Sequence, residues 1–255
     1  AALATVLSQG LSCAWVLHFL TGEKTLLRLK RETLRLQPRL ILPCVALGLS
    51  AFIMQASESV ISVCFNSSLL RYGGDIAVGT MTILTSVMQF ALLPLQGLGQ
   101  GAQPIISYNY GARSADRVKK AFGLLLRSSL VYSTLLWLAL LLFPGMFASI
   151  FTSDASLIAF ATPAIRVYFA VLVLFGAQIA CQMTFTALDR AKESILVAVT
   201  RKFIILLPLI YLMPHLFSAN PTMAVYMAEP FADAIAVTFT VLLFARQFKK
   251  ALQKI

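Results

Sequence analysis

The stretch Gly97–Gly123, GLGQGAQPIISYNYGARSADRVKKAFG, decides how the chain is read. It is rich in glycine, it ends in a basic cluster, and apolar runs lie on both sides. A phosphate loop of the G-x-x-x-x-G-K-[ST] type needs a lysine that reaches the phosphates, and none follows these glycines. A dinucleotide loop needs G-x-G-x-x-G after a strand, whereas Gly97, Gly99 and Gly101 follow a long apolar run. A membrane helix fits better. Gly97 and Gly101 form G-x-x-x-G, which lets helix backbones approach closely in a bilayer. Pro94 is expected to kink this helix. Asn109-Tyr110-Gly111 reads as its stop, Ser114 as the N-cap of the next helix, and Asp116 as an acid placed for the helix dipole. Arg117, Lys119 and Lys120 then hold this end in water.

Composition points the same way. The chain has 255 residues, 59% hydrophobic and 12% charged. A soluble domain is closer to about half apolar and about a quarter charged, so the numbers indicate a membrane protein and exclude disorder. Apolar runs long enough to cross about 30 Å of hydrocarbon are expected at about 1–20, 40–66, 76–98, 121–148, 160–187, 195–217 and 222–245. The first opens without a basic n-region or cleavage pattern, so it does not read as a signal peptide. The reading is of a fragment that enters partway through or at the start of a helix. Cys13, Cys44, Cys64 and Cys181 all fall in apolar runs with no CxxC pair, which suggests small buried hydrophobes rather than disulfides or a metal site. His18 and His215 sit near span ends, far apart in sequence, and suggest no site.

The net charge of +11 raises the question of nucleic acid. The basic residues answer it. Residues 21–39, 99–127, 188–202 and the tail from Arg246 hold 6, 5, 4 and 4 of them, 19 of the 21. The remaining two are Arg71 and Arg166. This alternation places the basic connections and the C-terminus in the cytoplasm. Charge spread over four loops of a helical bundle is not a nucleic-acid footprint.

The run PLQGLGQGAQPIISYNYGARSADRVKKAF resembles the multidrug and toxic compound extrusion (MATE) transporters. The match is a proline, Pro94, spaced glycines, Gln103-Pro104, then Tyr108-Asn109-Tyr110-Gly111-Ala112 and a basic helix start. The preceding NSSLLRYGGDIAVGTMTIL and the late AEPFADAIA also resemble family segments, in the right order, and the wording is closest to a bacterial, MepA-like branch. The resemblance implies an all-α, polytopic transmembrane bundle: the C-terminal six-helix lobe of a twelve-helix carrier plus the helix before it. Residues 1–20 would end helix 6, 21–39 would form the cytoplasmic inter-lobe linker, 40–245 helices 7–12, and 246–255 a cytoplasmic tail. Leu26, Leu27 and Leu34 on one face would make the linker an interfacial helix; a solvated linker is the alternative. The other partners implied are the lipid bilayer and the carrier's own N-terminal lobe.

The chemistry of such a carrier lies in polar groups inside the bilayer. An ionisable residue at a helix centre costs about 2.5–3.5 kcal/mol on insertion scales. Glu58, Glu229 and Asp233 carry that cost at matched depth, roughly 10–17 Å below the outer surface. Glu229 and Asp233 are also one turn apart on one face. Polar stripes accompany them: Gln55, Glu58, Ser62 and Asn66; Thr82, Ser86 and Gln89; Gln178 and Gln182. They suggest a wet cavity, the simpler alternative being groups that only bond helices together. The resemblance makes Glu58 the cation-coupling acid on helix 7, with Asp233 and Glu229 as further candidates. Some family members also carry an aspartate on helix 10, where this chain has Gln178 and Gln182 instead.

The expected activity is secondary antiport of H⁺ or Na⁺ against amphipathic, cationic compounds across the bacterial cytoplasmic membrane, with no cofactor beyond the coupling ion. Aromatic and methionine side chains would hold the substrate, with Met54, Phe65, Met81, Met88, Phe175 and Tyr226 as candidates. The alternative is a lipid or lipid-linked oligosaccharide flippase of the same architecture. That reading asks for a basic cavity, and Arg166 is the only basic residue well inside a span. An enzyme is not expected, since the chain has no HExxH, no GxSxG and no metal-ligand pattern. A plain channel or structural subunit would leave the matched acids unexplained.

Overall fold

A computed structural model describes residues 2–22, 38–188 and 199–253. The chain divides into two compact units, residues 1–56 and 57–255. The first contains α1, Ala2–Thr21, whose last turn is closed by the Thr21 hydroxyl donating to Leu17 O at 2.9 Å. Its Leu3, Leu7, Leu11 and Trp15 are exposed. The expected linker, 23–37, lies outside the described residues.

The second unit begins within α2, Pro38–Gly111, which breaks at Gly74. There φ is +65° and ψ −161°, a region open essentially only to glycine. The break separates two legs that correspond to the expected runs 40–66 and 76–98. It is fixed from the far end of the chain. Thr222 donates its hydroxyl to Tyr72 O at 2.9 Å, Tyr226 donates to Ala77 O at 2.7 Å, and a Cβ on Gly73 would lie 2.6 Å from Thr222 Cγ2.

The second leg ends in a Schellman motif. Ser114 N donates to Asn109 O and Arg113 N to Tyr110 O, both at 3.0 Å. The helix ends at Gly111, at the expected stop, and the left-handed residue that follows is Arg113, with φ +55°. The next helix, α3, is Ala115–Leu142; Ser114 holds the N-cap position, but its side chain makes no capping bond. A short α4, Pro144–Ser149, follows.

Next comes a broken span: α5, Ala155–Tyr168, a 3₁₀ turn at Leu172–Leu174, and α6, Phe175–Ala187. It bends by 49°. Backbone carbonyls freed inside a bilayer need partners, and α3 supplies them. Ser133 Oγ donates to Val173 O at 3.0 Å and Trp137 Nε1 to Ala170 O at 2.9 Å. Gly176 permits this approach, since a Cβ there would sit 2.5 Å from Ser129 O. After the undescribed 189–198, a π-helical turn, Thr200–Leu206, leads into α7, Leu207–Leu216. The last helix is α8, Pro221–Leu252.

Every described element is helical, and no strand occurs among the described residues. Residues 56–111, 115–142 and 221–252 are long and apolar enough to cross a membrane, and the bent pair makes a fourth such span. The expected spans 1–20, 40–66 and 195–217 each include residues outside the described set, in 40–66 as regards side chains only. The core joins both legs of α2 to α5, α7 and α8 through Phe65, Leu69, Leu84, Ile165, Ile210 and Tyr226, all fully buried. A smaller aromatic cluster of Phe122, Phe244 and Phe248 ties α3 to α8.

Candidate functional site: a charged cavity between four helices

Helical spacing on α2 builds one wall. Glu58, Ile61, Ser62, Phe65 and Asn66 recur at i, i+3, i+4, i+7 and i+8, so they share a face of the first leg. Met81, Thr82 and Thr85 answer from the second leg. Tyr168 enters from the end of α5, Arg201, Lys202 and Leu206 from the π-helical turn, and Glu229 from α8. Together they enclose a cavity of 180 Å³. The Thr82 and Thr85 hydroxyls donate to their own helix, to Val78 O and Met81 O. Their lone pairs are what remains for a guest.

Two cations organise the acids. Arg201 Nε donates to Asp233 Oδ1 at 2.6 Å, and its terminal nitrogen to Glu229 Oε1 at 2.7 Å. The guanidinium also lies over the Phe175 ring, 5.8 Å from its centroid, within cation–π range. This group is closed to solvent: Arg201, Glu229 and Asp233 side chains are 17%, 10% and 1% exposed. Lys202 donates to Glu58. That pair differs, because Lys202 is 11% exposed and Glu58 60%. One carboxylate of the three thus faces open space.

Arg201 and Lys202 correct the sequence reading, which counts them among the loop cations of 188–202 and leaves Arg166 as the only basic residue well inside a span. The structure instead puts both against acids in the bundle. Successive residues of a helix point about 100° apart, so neighbours 201 and 202 reach different helices.

The three expected acids do come together. Of the expected polar lining, Ser62, Asn66 and Thr82 face the cavity. Ser86 is half-buried and bonds to Thr82 O, outside the lining. Gln89 is exposed. Gln178 is buried, with no partner for its Oε1 among the described residues. Neither it, Gln182 nor Tyr226 lines the cavity, and Tyr226 is occupied by its bond to Ala77. The side chains of Gln55 and Met54 lie outside the described set. Phe65 and Met81 line the cavity, while Met88 packs on the core.

The glycine motif also differs from expectation. Nothing among the described residues lies within 4 Å of a Cβ built on Gly97 or Gly101, so no close helix contact forms there; Gly99 makes it instead, 2.5 Å from Met183 Cγ. Gly97 and Gly101 floor a separate groove with Pro94. Gln103 and Pro104 stand outside both hollows, and Asn109 Nδ2 donates to Ile105 O at 2.8 Å.

The MatE family model matches residues 50–212, which include most of this cavity. The chain belongs to the MatE family. It is similar to the multidrug export protein MepA of Staphylococcus saprophyticus subsp. saprophyticus, 22% identical over 217 residues, or 85% of this chain and 48% of MepA. Among solved structures it resembles the MATE multidrug transporter DinF-BH, at 32% identity and a TM-score of 0.76, over 96% of this chain and 54% of that one. An inward-facing MATE transporter of the MOP superfamily superposes with a TM-score of 0.85 at 17% identity, over 99% of this chain and 58% of that one. The chain spans about half the length of the curated relatives it matches.

Proposed function

We propose that this chain is one lobe of a cation-driven multidrug exporter of the bacterial cytoplasmic membrane, working by alternating access. A second lobe would supply the rest of the pathway. The observation that carries the reading is the Glu58–Lys202 pair. Glu58 faces open space, its partner belongs to another helix, and neutralising it frees Lys202. An entering H⁺ or Na⁺ would break this link between α2 and the π-helical turn, biasing the lobe between two arrangements. Glu229 and Asp233 already have Arg201 and so serve as the fixed half of the site. Phe65, Met81 and Tyr168, each almost fully buried, form the apolar and aromatic backing of the cavity behind the polar groups that an amphipathic substrate would meet. The basic loops and tail would face the cytoplasm.

The flippase reading is not favoured. It requires a cavity dominated by positive charge, and here three carboxylates face two cations, each cation paired.

The test uses the carrier that contains this chain, reconstituted in proteoliposomes with a fluorescent cationic dye. Proton and sodium gradients are imposed separately, on wild type and Glu58→Gln. Gradient-driven flux lost in Glu58→Gln is the expected result, and the active gradient names the ion. Full flux in Glu58→Gln would remove Glu58 from coupling.

A further inference from the structure

A second hollow lies away from the charged cavity, between α5 and α8. It has a volume of 440 Å³ and is lined by Val167, Val171, Met227, Phe231 and Ala234 among others, with Arg166 its one charged residue. We propose that this groove binds an anionic phospholipid, with the phosphate on Arg166 and an acyl chain along the groove.

Three observations converge. Arg166 is exposed and has no carboxylate partner among the described residues; only its Nε is engaged, donating to Leu141 O at 3.2 Å. The terminal nitrogens are left for an outside acceptor, and a guanidinium's planar fork matches phosphate oxygens.

The groove also sits at the right level. Leu141 lies 21 residues beyond Lys120 on α3, about 31 Å along the axis. Phe231 lies 18 residues before Lys249 on α8, about 27 Å. From the innermost basic residues of the same helices, Arg127 and Arg246, the two positions are 14 and 15 residues away, about 21 and 23 Å. The groove therefore lies in the outer half of the roughly 30 Å hydrocarbon layer, where its apolar wall meets acyl chains and the long Arg166 side chain reaches outward to the phosphates.

Finally, the groove has a structural origin. α5 stops at Tyr168, and the turn that follows brings Ala170 and Val171 into one wall with Ala234 of α8. Small side chains at the break leave a furrow that neighbouring helices do not fill. Charge complementarity at its rim selects an anionic lipid over a zwitterionic one, whose own ammonium competes for the phosphate.

The chain has two tryptophans, and Trp137 bonds to Ala170 at the groove wall. The purified full chain carrying Trp15→Phe would be reconstituted in phosphatidylcholine bilayers. Trp137 quenching is then read with acyl-brominated phosphatidylglycerol and, separately, with acyl-brominated phosphatidylcholine. The expected preference for the anionic lipid is about fivefold in relative binding constant, the effect of one surface cation. Arg166→Gln should abolish the preference, Arg166→Lys should keep part of it, and Ala234→Phe should reduce quenching by both lipids. Equal quenching by the two lipids, or a preference that survives Arg166→Gln, overturns the proposal. Because no transport is measured, the result is independent of the antiport reading.

Discussion

Replacing Arg201 by Met tests whether the cavity is a balanced charge cluster. Arg201 makes contacts of 2.6 and 2.7 Å to carboxylates whose side chains are 1% and 10% exposed. Removing one partner of a buried ion pair costs about 3–5 kcal/mol, because the remaining charge is left desolvated. Here two carboxylates one turn apart are left, which argues for the upper half of that range. The thin exposure of Glu229 argues for some relief, so about 4 kcal/mol is expected. The assay is SDS-titration unfolding of the purified chain in mixed micelles, followed by tryptophan fluorescence. A triple variant, Arg201→Met with Glu229→Gln and Asp233→Asn, removes all three charges and should return to within about 1 kcal/mol of wild type, as neutral replacements of buried pairs often do. A cost below about 1 kcal/mol for Arg201→Met would refute the reasoning, as would a triple variant no more stable than the single one.

Two further predictions concern the backbone. Gly176→Ala places a Cβ 2.5 Å from Ser129 O and should destabilise by about 1–3 kcal/mol through overpacking of α3 on α6, whereas Gly97→Ala meets nothing within 4 Å and should gain up to about 1 kcal/mol of helix propensity; the same SDS titration checks both. Arg113→Gly relieves the left-handed strain at φ +55° and should stabilise by about 1 kcal/mol, read as a raised thermal midpoint in detergent.

Much of the helical order was legible, because apolar runs and basic loops are strong signals. Gly73-Gly74 lies between two such runs, and the break falls there. The helix stop at Gly111 was legible from composition; the left-handed cap at Arg113 was not, because two Schellman bonds offset there the strain of a non-glycine residue. The glycine pattern was legible only as a pattern. Which of Gly97, Gly99 and Gly101 touches a neighbour depends on helix rotation, and Met183 meets Gly99. The charged cavity was half legible. The three acids stood out by their depth. Arg201 and Lys202 did not: the expected span 195–217 contains them, but they count with Arg190 and Lys192 in the basic connection 188–202. A signal was present: the uninterrupted run Phe203–Phe217 has 15 residues, short of the about 20 needed to cross. A span ending at Phe217 therefore includes both cations. Three acids in the bundle also call for counter-charges, and these were the nearest available.

The wide sequence separation within the site bears on how the chain is made. Glu58 and Lys202 are 144 residues apart, whereas Arg201 meets Glu229 and Asp233 within 28 and 32 residues. At ribosomal speeds of about 5–20 residues per second, Glu58 is synthesised roughly 7–30 s before its lysine. During that interval its helix enters the lipid carrying a carboxylate without a partner, with Ser62 and Asn66 one and two turns along the same face as its polar company. Arg201 waits only seconds for its acids. Lys202 nevertheless precedes Glu229 and Asp233 in the chain, so the solvent-facing pair is complete during translation before the closed half, and it is the pair whose first member has had longest to wait.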